Sequence, residues 1–447
     1  YMLLEFRAKN YRSFKDEFVF SLIPDTGKKD LEYSILHKNI NGKQYKALCS
    51  SIVYGPNAAG KSNIIEAMDT LKAIIIRGHI SSNKSLNKRT SNIASDNLEL
   101  IPNNQEKERK PVSFGIKFIV DNVVINYKLD INLGRFLEES HIHRVFKEAL
   151  YINDDLIFLR SGMKLNLGND ALLTKYNQLI IEKNINIGRL IASSTLKYDD
   201  LFLTNGFKNI FAPRLVELLL NWFNNNFFII YHSENYKSMI GPVDNEAKAF
   251  IMPDDINKLV NSIGLNSNSI AYIRRDENSE PELCSIFNKV AISAEAIESC
   301  GTIRLINMLM PLIHTFQQGA ALIVDEFDCS FHPMIVMNII NLFHNPDINR
   351  NNAQLIFNTH NPIFLNNELF RRDEIKFVDR EYDQFSELYS LSDFPTSGKG
   401  SVRNSSNFMK NYFISKYGAI KDIDFAPIFE EILKKTGYKL KNTVYTR

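Results

Sequence analysis

Eight residues near the N-terminus have the types and the spacing of a phosphate-binding loop. The pattern G-x-x-x-x-G-K-[ST] is matched at every fixed position by Gly55-Pro56-Asn57-Ala58-Ala59-Gly60-Lys61-Ser62, and we include Asn63 in the predicted nucleotide-binding set. The glycines allow backbone N–H groups to curl around phosphate oxygens, and a following helix adds positive partial charge. Lys61 is predicted to reach the β- and γ-phosphates of a nucleotide, and the Ser62 hydroxyl to ligate Mg²⁺.

A second chemical element lies far downstream, where a run of small and apolar residues over 320–324 ends in Asp325-Glu326. Such a run predicts a buried parallel strand that delivers its carboxylates to the carboxyl edge of a sheet. Asp325 is expected in the Mg²⁺ shell. Glu326 is expected to position and polarise the attacking water.

A further buried strand is predicted over 353–358, and it is followed by Thr359-His360. A histidine at this strand end is placed to donate a hydrogen bond to a γ-phosphate, and the alternative is a hydrogen-bonded core histidine. The position of His360 after Asp325-Glu326 favours the phosphate role.

The stretch Ser299-Cys300-Gly301-Thr302 precedes a predicted helix over 303–316. A small hydroxyl residue and a glycine at a helix start form an anion cradle, although the same residues alone indicate only an N-cap. Because one chain cannot easily use two cradles on one phosphate, this cradle is expected to close over the nucleotide of a second subunit.

Other elements must hold these residues in place. Residues 48–54 predict a short buried strand before the loop, and residues 63–68 begin a helix after it. Two short N-terminal strands are predicted over 2–6 and 18–23, with Tyr11 or Arg12 between them either stacking on adenine or forming a plain solvent-facing turn. Alternating runs over 112–120 and 123–130 predict a hairpin, and a third antiparallel strand is predicted over 136–143. Residues from about 150 to 280 predict a mainly helical inserted lobe.

Composition sets broad limits on the kind of protein. The chain has 447 residues, enough for about three domain-sized units, and its 53 basic and 51 acidic residues give a net charge of +2. That balance neither requires nor excludes nucleic acid. Four scattered cysteines without a C-x-x-C pair indicate a reducing cytoplasm. No apolar run reaches about 18 residues, so no membrane span or membrane partner is predicted.

The order of these motifs resembles an ABC-type ATPase head of the SMC/RecF kind. More closely, it is similar to the stand-alone ATPases related to the OLD (overcoming-lysogeny) family of bacterial phage-defence operons, including RloA-like proteins and the ATPase subunit of PARIS-like systems. Besides the motifs above, the resemblance is carried by Leu4-Glu5-Phe6, Asn10-Tyr11-Arg12-Ser13-Phe14, Val324 to Pro333, Asn358 to Pro362, Arg371 to Ile375 and Lys416 to Ile420.

The resemblance implies an α/β fold: a P-loop head with a mixed sheet, an antiparallel β-subdomain and a mainly helical insertion. It divides the chain into 1–150 (P-loop half of the head), 151–285 (inserted lobe), 286–395 (second half of the head) and 396–447 (tail). It implies ATP and Mg²⁺ as ligands and a homodimer or higher homo-oligomer. Ser299, Gly301 and Thr302 would then bind the γ-phosphate in trans, and residues 328–333 would cross to the partner. Glu139, or else Glu138, would replace a Mg²⁺-sensing glutamine that this chain lacks.

Three functions follow from the resemblance. The first is an ATP-hydrolysing switch that clamps two chains around ATP and controls a separate effector, a nuclease or toxin, in anti-phage defence. The second is a RecF/SMC-like ATPase that binds DNA in repair or recombination, with a steep dependence on salt. The third is an OLD-like nuclease, with Glu381 and Asp422-Ile423-Asp424 as the metal ligands. The stretch before Asp422 is not an apolar strand, which argues against this last function.

Overall fold

The computed structural model describes residues 1–25, 31–81, 101–138, 141–180, 185–231, 249–262, 269–274, 281–381, 384–396, 402–403, 406–421 and 424–434. Its strands are β1 (Met2–Lys9), β2 (Phe18–Ser21), β3 (Ile35–Ile40), β4 (Lys43–Leu48), β5 (Ser50–Tyr54), β6 (Val112–Val120), β7 (Val123–Asn132), β8 (Arg144–Ile152), β9 (Asp155–Ser161), β10 (Lys164–Leu167), β11 (Phe227–Ile230), β12 (Ala249–Ile251), β13 (Ser269–Ile273), β14 (Glu282–Phe287), β15 (Val290–Ser293), β16 (Ala321–Val324), β17 (Gln354–Asn358), β18 (Ile375–Asp379) and β19 (Glu387–Ser390).

Its helices are α1 (Lys61–Arg77), α2 (Asp170–Lys175), α3 (Ile185–Thr195), α4 (Lys208–Ile210), α5 (Pro213–Asn225), α6 (Asp254–Ser262), α7 (Ala294–Ile297), α8 (Cys300–Gln318), α9 (Pro333–His344), α10 (Phe408–Phe413) and α11 (Ala426–Lys434). A π-helical segment covers Phe202–Phe207. Within the described residues, no helix is long and apolar enough to cross a membrane.

A six-stranded sheet, in the order β11-β16-β17-β5-β18-β19, lies at the centre of the head. Its strands are parallel except β19, which runs antiparallel to β18. Every residue of β5, β16 and β17 is buried, because apolar layers cover both faces of the sheet. Their parallel pairing brings the carboxyl ends of β5, β16 and β17 to one edge, as predicted for the site residues.

A seven-stranded antiparallel sheet, in the order β10-β9-β8-β7-β6-β1-β2, forms the β-subdomain. The predicted hairpin is present: β6 and β7 pair through a turn at Asp121, which has a φ of +49°. The predicted third strand over 136–143 is wrong, because β8 begins only at Arg144. Gly134 (φ +80°) and Leu137 (φ +59°) turn the backbone out of the extended range before that point.

In the described part of 151–285, helices are interspersed with strands, so the mainly helical character predicted there is confined to part of the segment. Strands β9 and β10 extend the antiparallel sheet, β11 joins the central sheet, and β12–β15 form a separate four-stranded sheet. Helices occupy mainly 170–225, where the apolar residues of α5 follow a helical period. The alternating residues of β9 and the short strands after 248 lack that period. The division of the chain at 150, 285 and 395 stays a prediction.

Helix α1 carries the end of the phosphate-binding loop, and the core holds it in place. Its buried face includes Ile64, Ile65, Met68 and Leu71, which belong to one apolar cluster with both sheets and α5. In that cluster Trp222 of α5 stacks on a phenylalanine of β6 with ring centroids 3.7 Å apart. A helix packed on both sides positions its first turn closely, and that turn contains Lys61 and Ser62.

Candidate functional site

The loop between β5 and α1 has the backbone that a phosphate cradle requires. Gly60 has a φ of +112°, and a Cβ at this position would lie 2.6 Å from Ser13 Oγ and 2.7 Å from Ser386 Oγ. Only glycine fits both the positive φ and the short distances to these two hydroxyl oxygens. The Ser386 hydroxyl donates to the Ala59 carbonyl, and the Asn63 side-chain amide donates to Ser13 Oγ at 2.7 Å. The loop is therefore braced from two sides by serines outside the motif.

Lys61 lies under this loop and is buried. Its ammonium donates to the carbonyls of Gly55 (2.9 Å) and Pro56 (3.1 Å). Burial lowers the pKa of Lys61 to about 8, although Asp325 and Glu326 act in the opposite direction. An anionic phosphate beside this ammonium would relieve that penalty, because an opposite charge favours the charged form.

Asp325 follows β16 and lies beside the start of α1. The Ser62 hydroxyl donates to Asp325 Oδ1 at 2.9 Å, which confirms that the loop and the acidic strand meet. The Asn358 amide at the end of β17 also donates to Asp325 Oδ1, and its oxygen accepts the backbone N–H of Glu326 at 2.5 Å. Asn358 therefore orients both acidic residues, a role that the sequence analysis did not assign.

His360 follows β17 and belongs to the same group of charges. Burial and the charge of Lys61 lower the pKa of His360, while Glu326, Asp328 and Asp325 act to raise it. A histidine with a lowered pKa is neutral near pH 7 and keeps one ring N–H for donation. Burial raises the pKa of Asp328, against the influence of the Thr359 hydroxyl and of His360. These residues therefore form one electrostatic unit at the carboxyl edge of the sheet.

Glu326 begins a tight loop that ends at Phe331, and its side chain is exposed. Glu326 (φ +50°) and Ser330 (φ +67°) both occupy the left-handed region, which costs a residue with a Cβ about 1–2 kcal/mol. The Arg304 guanidinium of α8 donates to the Glu326 carbonyl at 2.6 Å and lies over the Phe331 ring at 5.4 Å. Arg304 is a second residue whose role the sequence did not reveal.

The predicted cradle at 299–302 forms the start of α8. Ser299 is its N-cap and accepts the backbone N–H of Thr302 at 3.1 Å, while the two hydroxyls lie 2.9 Å apart. A Cβ on Gly301 would lie 2.5 Å from the Ser330 carbonyl oxygen, so this turn packs directly on the loop 326–331. The structure thus brings the cradle to the acidic loop, and its exposed residues Ser299 and Cys300 face solvent.

The two carboxylates predicted to replace the Mg²⁺-sensing glutamine have different outcomes. Glu139 lies outside the described residues, so its role as a Mg²⁺ ligand stays a prediction. Glu138 forms an ion pair with Arg109 and accepts a hydrogen bond from the backbone N–H of Arg135. These contacts lower the pKa of Glu138 to about 2. This carboxylate caps a turn, and it does not end a strand as predicted.

The adenine role of the N-terminal hairpin is not supported for Tyr11. The Tyr11 ring is fully buried, packs edge-on against Phe114, and places its hydroxyl 3.1 Å from that of Thr70. Arg12 forms an ion pair with Glu66 at 2.5 Å. This turn therefore anchors α1 to the β-subdomain.

The nuclease ligands are only partly described. Asp422 and Ile423 lie outside the described residues. Asp424 does not end a strand: its carboxylate accepts the backbone N–H of Ala426 at the start of α11. Residues 414–421 likewise contain turns and no strand.

The donor set at the sheet edge fits a nucleotide with Mg²⁺. Residues 55–63 and Lys61 would hold the phosphates, and the oxygens of Ser62 and Asp325, already 2.9 Å apart, would hold the cation. Mg²⁺ prefers oxygen ligands of this kind and keeps several waters.

A glycine-containing loop and lysine after one parallel strand, with acidic residues after a neighbouring strand, define a P-loop nucleoside triphosphatase. Residues 50–366, more than half of the chain, match a family described as "AAA domain, putative AbiEii toxin, Type IV TA system". The chain belongs to this family, and membership implies that it binds ATP.

Comparison with solved structures gives remote likenesses. One is the Smc head domain of Pyrococcus furiosus bound to the C-terminal domain of ScpA (TM-score 0.36, 12% identity, 87% of this chain and 96% of that chain). Another is the recombination mediator RecF with ATP (TM-score 0.30, 11% identity, 87% of this chain and 100% of that chain). Similarities this remote do not identify the fold or the function. The fold class is therefore assigned from the sheet order described above. No curated protein matches the chain.

Proposed function

We propose that this protein is an ATP-hydrolysing switch in which two chains clamp around ATP and thereby control a separate effector protein. The observation that carries the proposal is the single edge at which Lys61, Ser62, Asp325 and Glu326 converge with His360. Each of these residue types has a task in phosphoryl transfer to water.

The proposed hydrolysis assigns one task to each side chain. The loop amides and Lys61 bind the β- and γ-phosphates, and Ser62 with Asp325 holds Mg²⁺, which neutralises phosphate charge. Glu326 accepts a proton from the attacking water, and neutral His360 donates a hydrogen bond to a γ-phosphate oxygen. Asn358 keeps Asp325 and Glu326 in their relative orientation through its two hydrogen bonds.

The proposed dimer rests on the position of the cradle. Ser299 and Cys300 are exposed, and the helix start they form is supported from behind by Ser330. A helix N-terminus that faces outward offers its N–H groups to the γ-phosphate held by a second chain. Closure would then depend on the γ-phosphate, because hydrolysis removes the group that both chains contact.

The proposed biological setting follows from the family description, which names a toxin and a type IV toxin–antitoxin system. We infer that the effector is a nuclease or toxin encoded nearby and that the output is anti-phage defence. The segment 151–285 carries the recognition of partner or trigger, because nucleotide chemistry does not account for it.

The first test is Glu326→Gln, which removes the proton acceptor and keeps the shape of the side chain. We expect ATP binding to persist, hydrolysis to fall by about 10²–10⁴-fold, and the protein to accumulate at dimer mass or above on light scattering with ATP. Glu381→Gln is the matched control, since Glu381 is exposed and its carboxylate accepts from the Gln384 side chain within its own loop. Hydrolysis at the native rate would show that Glu326 is not the proton acceptor. A mass that stays at that of a monomer would refute ATP-dependent dimerisation.

The second test concerns the effector. The Glu326→Gln chain is expressed from its native operon, purified with ATP, and its partners are identified by mass spectrometry. A neighbouring-gene product that leaves the complex when ATP is withdrawn is the expected result. Recovery of DNA alone, with an affinity that falls steeply with salt, would instead support a RecF-like function. Metal-dependent DNA or RNA cleavage abolished by Asp422→Ala would support the nuclease.

A further inference from the structure

Three buried side chains with metal-ligand chemistry meet at the opposite end of β5 from the phosphate-binding loop. Cys49 immediately precedes β5, His344 is the last residue of α9, and Glu374 immediately precedes β18. The thiol sulfur, one imidazole nitrogen and one carboxylate oxygen all lie within 4.8 Å of one another. Along an extended strand this cluster is roughly 20 Å from Gly55, so it is separate from the nucleotide site.

Hydrogen bonds hold the cluster in a defined arrangement. The Ser50 hydroxyl donates to Glu374 Oε1 at 2.6 Å and lies 3.0 Å from His344 Nε2. The Arg371 backbone N–H donates to Glu374 Oε2 at 2.8 Å. His344 Nε2 also lies 3.4 Å from Glu374 Oε1, so Nε2 is the ring nitrogen that faces the carboxylate, and it would bind a cation in its unprotonated form.

In that tautomer the other ring nitrogen of His344, Nδ1, carries the proton. His344 is 5% exposed, and its Nδ1 is buried without a hydrogen-bond partner among the described residues. A buried polar nitrogen without a partner costs about 1–3 kcal/mol. Coordination of a cation through Nε2 would help to offset that cost.

We propose that Cys49, His344 and Glu374 bind a divalent cation of the Zn²⁺ class. Sulfur, imidazole and carboxylate donors together select zinc over Mg²⁺, which prefers oxygen ligands alone. Tetrahedral zinc would bring the donor atoms to about 3.5 Å from one another, so a closure of little more than 1 Å from the 4.8 Å limit is needed. Ser50 or a water supplies the fourth ligand.

The charges of the proposed site also balance. On binding, the Cys49 thiol releases its proton, and the resulting thiolate and the Glu374 carboxylate neutralise the cation while His344 stays neutral. A buried neutral cluster avoids the penalty of an uncompensated charge. The cation would tie the end of α9 to the starts of β5 and β18, which makes the site structural.

The test uses the full chain with Cys300→Ser and Cys329→Ser as a background, because these two exposed thiols could hold zinc adventitiously. After chelation and dialysis against Zn²⁺, elemental analysis is expected to give about one zinc per chain. Substitution with Co²⁺ is expected to give the near-ultraviolet charge-transfer absorption of a cobalt–thiolate bond. Addition of Zn²⁺, and not of Mg²⁺, is expected to raise the melting temperature.

Cys49→Ser should reduce the bound zinc by about tenfold or more and abolish the cobalt–thiolate absorption. Cys284→Ser is the matched control, since Cys284 is the other buried cysteine and should keep both signals. His344→Gln gives an independent second variant, and circular dichroism establishes that each variant is folded. Zinc content that is unchanged in both folded variants, or a background chain that takes up no zinc, would overturn the proposal.

Discussion

Asn358→Asp is the sharpest test of the geometry at the sheet edge, because it alters one atom of a buried side chain. The Asn358 amide donates to Asp325 and its oxygen accepts from the Glu326 backbone. The substitution keeps the acceptor and replaces the donor with a second carboxylate oxygen facing Asp325. Two carboxylates in contact repel each other unless they share a proton.

The expected loss follows from the strength of that contact. A hydrogen bond to a charged group contributes about 1.5–3 kcal/mol, and each 1.36 kcal/mol corresponds to a tenfold change in rate. We therefore expect kcat to fall by about 10- to 100-fold near pH 8. The affinity for ATP should change little, since the loop and Lys61 are untouched. Part of the activity should return as the pH falls, because a protonated acid can again donate to Asp325.

The assay is steady-state phosphate release with Mg²⁺ titrated at each pH, together with equilibrium binding of a fluorescent ATP analogue. Asn349→Ala is the matched control. Asn349 is a buried asparagine whose amide donates to the Phe343 and Ala353 carbonyls, and it precedes the start of β17, whereas Asn358 lies at the end of that strand. It should lower stability and leave kcat per folded molecule unchanged. A kcat within about twofold of native for folded Asn358→Asp would refute the orienting role.

Three further changes probe the loop and its support. Burial lowers the pKa of Lys61 to about 8, so Lys61 must take up a proton when phosphate binds above that pH. Isothermal titration should then show ATP affinity falling by up to about tenfold per pH unit above pH 8. An affinity that stays constant from about pH 7 to beyond 9 would contradict this prediction. Gly301→Ala should lower kcat by at least about tenfold, because its Cβ would lie 2.5 Å from the Ser330 carbonyl oxygen. Gly115→Ala should not, because its Cβ would have no neighbour beyond the adjacent residues nearer than 3.7 Å. Arg304→Met should lower kcat by about tenfold at unchanged ATP affinity; equal kcat would exclude a positioning role.

The residues placed by a local motif or by the end of a parallel strand were predictable from the sequence. The loop at 55–62 is a local pattern, and Asp325 and His360 each follow a short apolar run, so the rule for parallel strands brings them together without further information. Their meeting is visible in the hydrogen bond between Ser62 and Asp325. Local pattern and sheet topology are sufficient to predict where these residues lie.

Residues that act through side-chain contacts between elements were not predictable. The role of Asn358 depends on the register of β17 against β16, and that of Arg304 on which face of α8 meets the loop at Glu326. The error at 136–143 has a similar origin, because a left-handed backbone at Leu137 has no sequence signal of its own. The burial of Tyr11 follows from packing of the β-subdomain on α1, which periodicity in one segment does not reveal.

The loop from Glu326 to Phe331 links the proposed hydrolysis chemistry to the proposed dimer face. Its first residue is held by Asn358 on the nucleotide side and by Arg304 on the α8 side, and Ser330 touches Gly301 at the helix start. We therefore expect a displacement of Glu326 to affect the start of α8 as well. Because Glu326 and Ser330 both have left-handed backbone, the loop carries about 2–4 kcal/mol of strain in this arrangement. Rates of hydrolysis and of dimer release should accordingly change together in variants of this loop.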